Sequence, residues 1–221
     1  GLLAYNDGGD RITIRQLGDH SEKNHQLPHP VTRLQFDADS PWLIAGGADR
    51  ITLLNSESGE TRTLDGYHHI SAWLYSPLAH QLWILDDSPA LYRYSLNEQN
   101  QQRYPLPDDW HDLTAAAISP DEQNLLFGAT TASNQHLGIN WNTETATIAQ
   151  QIPLTAPLVQ PYIDNNGQLY LYTSRDGRGH IIPRNDPAAA QTIHAPNPTD
   201  RYATGWLDTR LIAVGQSLKS W

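Results

Sequence analysis

Short apolar runs return along this chain at a nearly constant interval, each followed by a polar or glycine-bearing turn. LLAYND from Leu2, LIAGGA from Leu43, LWILDD from Leu82, LLFGAT from Leu125, LYLYTS from Leu169 and LIAVGQ from Leu211 succeed one another at steps of 39 to 44 residues. Six copies on one beat mark an array of a single structural unit. Between the runs, apolar residues alternate with polar ones or stand in fours. No stretch keeps the i, i+3, i+4, i+7 stripe of an amphipathic helix, so the pattern predicts strands. Ala188-Ala189-Ala190, between Pro187 and a strand-like TIH, reads as a loop crossing.

The second copy shows the unit. Val31–Phe36 alternates and predicts a first strand, closed by the turn Asp37-Ala38-Asp39-Ser40-Pro41. Trp42–Ala45 predicts a second strand, Arg50–Leu54 a third and Glu60–Leu64 a fourth, with Gly46-Gly47 and Asn55–Gly59 turning the chain between them. Four short antiparallel strands on about forty residues is the length and content of a β-propeller blade. A second landmark keeps the same beat. Phe36-Asp37, Tyr75-Ser76, Ile118-Ser119, Ile163-Asp164 and Leu207-Asp208 each set a bulky apolar residue before a short polar one. There an inner strand ends buried, and Asp or Ser closes the turn through a side-chain bond to the backbone.

The expected fold is therefore all-β: a propeller of four-stranded antiparallel blades, five to six of them visible, in a single domain over residues 1–221. Blades fall at about 31–69, 70–112, 113–156 and 157–200, with partial ones at 1–30 and 201–221. The first copy begins at its second strand and the last stops within its third. That is expected of a piece of a larger ring, or of ends that meet in a shared closing blade. An uncovered terminal strand would be an aggregation edge.

ISPDEQNLLFG (118–128) and IDNNGQLYLYTSRDGRGHII (163–182) resemble the repeat of TolB-type propellers, and LIAGGADRITLLNSESGE (43–60) resembles the middle of a WD-repeat blade. Trp141-Asn142 and Trp221 stand where that repeat carries its Trp-Asp pair. His29, His69 and His111, just ahead of inner strands, resemble its loop histidine. The Trp-Asp dipeptide itself does not occur, and Gly-His occurs only at Gly179-His180, so the subfamily stays open. The resemblance implies a ring of blades serving mainly as an interaction platform, and a fold does not by itself imply catalysis.

Composition changes the picture by exclusion. The 221 residues include no cysteine, which removes disulfides, thiolate metal sites and cysteine nucleophiles. The net charge is −10, Lys23 and Lys219 are the only lysines, and no basic cluster occurs. Nucleic acid and anionic membrane surfaces are therefore not expected partners. The apolar runs have strand length, far short of a membrane-spanning helix, and predict no membrane insertion. No signal peptide is visible and methionine is absent throughout, so the chain reads as processed or trimmed, soluble, and either cytoplasmic or periplasmic.

Candidate chemistry is sparse. Ten histidines invite a metal reading, but they follow the repeat and form no helical H-x-x-x-H pair, since His25 and His29 are separated by Pro28. The expectation is that they fasten loops, with no metal and no cofactor. Asp109 and Asp112 are the carboxylates hardest to assign to turn chemistry alone, because the loop before Leu113 should approach the central channel; axial acid pairs are what a propeller glycosidase would use. Trp110 stands in the polar run PDDWHD, either as an exposed ring suited to a binding hot spot or folded over the blade edge. The leading expectation is a non-enzymatic propeller that binds a protein partner, or serves as the sensor module of a larger protein, through a rim of His29, His69, Trp110, His111 and Arg201. The alternatives are a glycosidase-like hydrolase using Asp109 and Asp112, and a purely structural subunit. A small-molecule ligand stays open.

Overall fold

A strand that is apolar on both faces must be covered on both faces, and five of the six recurring runs take the second position of their sheets, while the first, at Leu2, opens a three-stranded sheet and stays largely exposed. The computed structural model describes residues 1–37 and 39–194, and beyond them three strands of the last sheet. Sheet 1 holds β1 (Leu2–Asn6), β2 (Arg11–Gln16) and β3 (Glu22–Gln26). Sheet 2 holds β4 (Arg33–Phe36), β5 (Trp42–Gly46), β6 (Ile51–Asn55) and β7 (Thr61–Leu64). Sheet 3 holds β8 (Ile70–Ser76), β9 (Gln81–Asp86), β10 (Ala90–Ser95) and β11 (Asn100–Pro105). Sheet 4 holds β12 (Trp110–Ile118), β13 (Asn124–Thr131), β14 (His136–Asn142) and β15 (Thr147–Leu154). Sheet 5 holds β16 (Leu158–Ile163), β17 (Leu169–Ser174), β18 (Arg178–Pro183) and β19 (Gln191–His194). Sheet 6 holds β20 (Ala203–Leu207), β21 (Arg210–Val214) and β22 (Leu218–Ser220). Strand order follows chain order in every sheet. The three-alanine stretch departs from the expected plain loop: Pro187–Ala189 makes one turn of 3-10 helix, started by a proline that already has helical φ.

The chain forms two compact units, Gly1–Ser88 with Tyr92–Gln102, and Pro89–Leu91 with Arg103–Trp221. In the first, Ile12, Ile14, Leu27, Val31, Leu43, Ala45 and Leu54 make one core, with Ala4, Leu34 and Phe36 packed on it. In the second, Leu126, Ile152, Leu154, Leu158, Tyr170, Tyr172 and Ile182 make another. Each such large side chain taken out of water contributes about 1.5–3 kcal/mol, so sheet-on-sheet contact is the main source of stability. Fourth strands form the wet edge: β7 and β11 are mostly exposed. Sheets 4 and 5 approach so closely that a Cβ at Gly138 would lie 2.6 Å from the Tyr172 ring.

The turns after the first strands close as the repeated Asp or Ser predicts. Asp37 Oδ1 accepts the Asp39 N–H, Ser119 Oγ accepts the Asn124 N–H, and Asp164 Oδ1 accepts those of Gln168 and Leu169. All three side chains are buried. The first strands themselves are less regular. β8 carries an extra residue between Ile70 and Ala72, β16 one between Leu158 and Gln160, and β12 one on each side of Thr114.

Candidate interaction surface

The residues ahead of the first strands divide into those consumed by the fold and those left at the surface. His29 belongs to the first group. It is 5% exposed, its Nδ1 donates to the Pro30 carbonyl at 2.9 Å, and its Nε2 lies 2.9 Å from Thr52 Oγ1. A carbonyl can only accept, so Nδ1 carries the proton and Nε2 accepts from the threonine. Thr52 in turn meets Thr63 Oγ1 at 3.3 Å. The ring fastens its loop to β6, the role expected of the loop histidines, and it is absent from any rim.

His69 is exposed, and its loop is held by backbone rather than ring. The N–H groups of His68 and His69 donate to the carboxylate of Asp86 at 3.0–3.2 Å, and Ser88 Oγ adds a bond at 2.9 Å. Asp86 is fully buried, so these donors are what make its charge tolerable there.

In the second unit, Trp110 is buried, which removes it from the expected rim. It is the first residue of β12, pairs with Thr131 and is only 4% exposed. The turn is shorter than the polar run PDDWHD suggests: the Trp110 N–H already bonds Pro107 O, and pairing begins there. His111, next along, is exposed, and its Nδ1 stands 3.1 Å from Asp112 Oδ2. Across the strand from His111 is Thr130, whose hydroxyl meets His136 Nδ1 at 3.2 Å. Asp109 sits exposed in the turn. Asp112, with 74% of its side chain exposed, is partnered by the His111 imidazole. Arg201 lies outside the described residues.

Geometry at this end of β12 is unusual. Asp112 and Ala115 have φ of +48° and +41°, and each coincides with one of the strand's two register shifts. The bulged residue of β16 is Val159, 56% exposed, followed by exposed Gln160. β12 and β16 pack against each other. Bulges re-aim side chains, and here two neighbouring first strands turn Asp112 and Val159 outward. The loop leading into β16 is pinned by Thr155 Oγ1 to Asp176 Oδ2 at 2.6 Å. Burial pushes the Asp176 carboxyl up, but bonds from Ser174, Thr155 and the Arg178 amide, with the Arg178 charge, hold it below its ordinary value. The surface therefore stands on anchored backbone. Sequence reading missed Val159 and Gln160, since LVQPYI shows no clear alternation that an extra residue could be seen to break. Among the described residues, no group of three or more His, Asp or Glu is placed to hold a metal, and no helix is long and apolar enough to cross a membrane.

No protein-family model matches the chain, and no curated protein matches it in sequence. Solved structures do match. One described as the Dos1 propeller superposes over 100% of this chain with a TM-score of 0.78 at 12% identity. The fold is a β-propeller. At that identity the likeness fixes architecture alone, and the chain spans 63% of the length of the Dos1 propeller chain. In all, 1519 solved chains match, which is too many for the propeller to select one activity.

Proposed function

We propose that this propeller is a non-enzymatic scaffold that binds a protein partner, either in its own right or as a module of a larger protein. The observation that carries the reading is the bulge pair of the second unit. Two packed first strands give up regular pairing side by side, and the residues released, Asp112 beside His111 and Val159 beside Gln160, are exposed. Left-handed non-glycine backbone costs about 1–3 kcal/mol at each residue and persists where the surroundings hold it, commonly at functional sites. An exposed carboxylate and an exposed valine on packed neighbouring strands fit a partner segment that carries a basic and an apolar residue. The bonds made by His29, Ser119 and Asp164 support placement among propellers of the WD-repeat and TolB kind, whose repeats this chain resembles.

The test is affinity purification from the source cells with the wild type and with an Asp112→Ala/Val159→Asp double variant whose fold is verified by circular dichroism. A partner should co-purify stoichiometrically with the wild type and drop at least tenfold with the variant. Equal recovery with both would remove this surface from the reading. Glycoside turnover abolished by Asp109→Asn or Asp112→Asn would replace the scaffold with a hydrolase.

A further inference from the structure

Among the buried polar atoms of the second unit that no described residue satisfies, three sit on side chains at one end of sheets 4 and 5: Asn124 Nδ2, Asn140 Oδ1 and Tyr170 Oη. Their exposures are 5%, 6% and 0%. Register places them together at one end of the interface between sheets 4 and 5. Leu126 pairs with Asn140 and Asn124 with Asn142, so Asn124, Leu126 and Asn140 share the face of sheet 4 that meets sheet 5, where Leu126 packs with Tyr170 and Tyr172. The Tyr172 ring covers Gly138 and its hydroxyl donates to Ile139 O at 3.2 Å. Two residues back along β17 is Tyr170, and two residues on along β14 is Asn140. Asn124 opens β13 directly after the turn of Ser119 and Asp121.

That end is roofed. Arg184 reaches from sheet 5 to the turn of sheet 4, donating to Asp121 Oδ2 at 2.6 Å and Gln123 Oε1 at 2.9 Å. Arg184 stands two residues beyond Ile182, the residue that Tyr170 pairs with in β18.

We infer that Asn124, Asn140 and Tyr170 bind internal water that bridges sheet 4 to sheet 5 under the Arg184–Asp121 roof. An amide donor, an amide acceptor and a hydroxyl able to do either are complementary, yet none of the three lies within hydrogen-bond distance of another. Complementary groups that do not reach one another are what a bridging water joins, and two to four polar partners are what a buried water takes. The roof charges neutralise each other, so the three uncharged groups call for a neutral polar partner. An apolar one would leave all three groups unpaired, a full desolvation penalty for each.

The experiment is Tyr170→Phe in the intact chain, read by thermal unfolding and by water-proton magnetic relaxation dispersion, with Asn140→Leu as the second variant. With bridging water, Tyr170→Phe removes a used hydroxyl: the melting temperature falls by about 2–4 °C, and the number of long-lived waters drops relative to wild type. If the hydroxyl is truly unpaired, its removal raises the melting temperature and leaves the long-lived waters unchanged in both variants, and the inference fails.

Discussion

Asp37 shows how one side chain joins local turn chemistry to sheet packing. Its carboxylate is 5% exposed, closes its own turn, and takes the Tyr75 hydroxyl at 2.6 Å and the Ser40 hydroxyl at 2.5 Å, with His80 Nδ1 at 3.5 Å. Burial pushes the carboxyl up, but the Ser40 and Tyr75 hydroxyls, the Asp39 amide and the nearby His80 outweigh it and hold it below its ordinary value of 3.8. A carboxyl lowered in the folded state contributes stability that is fully present above the ordinary range and is lost as pH falls through the lowered value. Tyr75→Phe withdraws one donor and lets the folded value rise, so acid unfolding should begin at higher pH. The same change should cost about 1.5–3 kcal/mol at neutral pH, the worth of a hydrogen bond to a charged group. Tryptophan fluorescence followed from pH 7 to pH 2 reads both effects; an unmoved acid midpoint with unmoved neutral stability would show that the hydroxyl contributes nothing.

At the scale of the element, β12 is the exception among strands and the natural place to test strain. Its two bulges rest on Asp112 and Ala115 in left-handed backbone. Asp tolerates that region, whereas alanine there pays roughly 1–2 kcal/mol of steric cost, against about 0.5–1 kcal/mol of extra chain entropy for glycine. Ala115→Gly should therefore stabilise the protein, by up to about 1 kcal/mol in urea unfolding, and Asp112→Gly by less; destabilisation by Ala115→Gly would mean that the methyl packs more than it strains. Sequence and structure part company in this strand. The strands of the second blade, from Trp42 to Leu64, were legible within a residue, because alternation and Gly/Asn turns are local properties of the chain. The buttress on His29 was legible in kind, from its place ahead of a first strand. The bulges were not, since neither Ala115 nor Val159 has a residue type that announces one. Nor was the burial of Trp110, which depends on pairing with Thr131, twenty-one residues away in sequence.

For the whole molecule, the decisive quantity is charge. With 24 acidic residues against 14 lysines and arginines the chain carries −10 at pH 7, and its pI is about 5.3. Few ion pairs offset this: apart from Arg184–Asp121 and His80–Asp37, the described pairs join residues close in sequence and are mostly exposed, such as Arg11–Asp7 and Arg50–Asp49, and pairs of that kind are worth about 0–1 kcal/mol. Folding at neutral pH therefore concentrates like charge on a closed surface, and self-repulsion opposes the compact state. Salt at roughly 0.5 M shortens the screening length to a few ångströms and should relieve that repulsion. Near the pI of about 5.3 the net charge approaches zero, which removes the same repulsion without salt. The gain in melting temperature on adding salt should accordingly be larger at pH 7.5 than at pH 5.5, a difference measurable by calorimetry in paired buffers. If hydrophobic strengthening by salt were the main effect, the gain would be equal at both pH values, because the buried apolar contacts between sheets do not titrate.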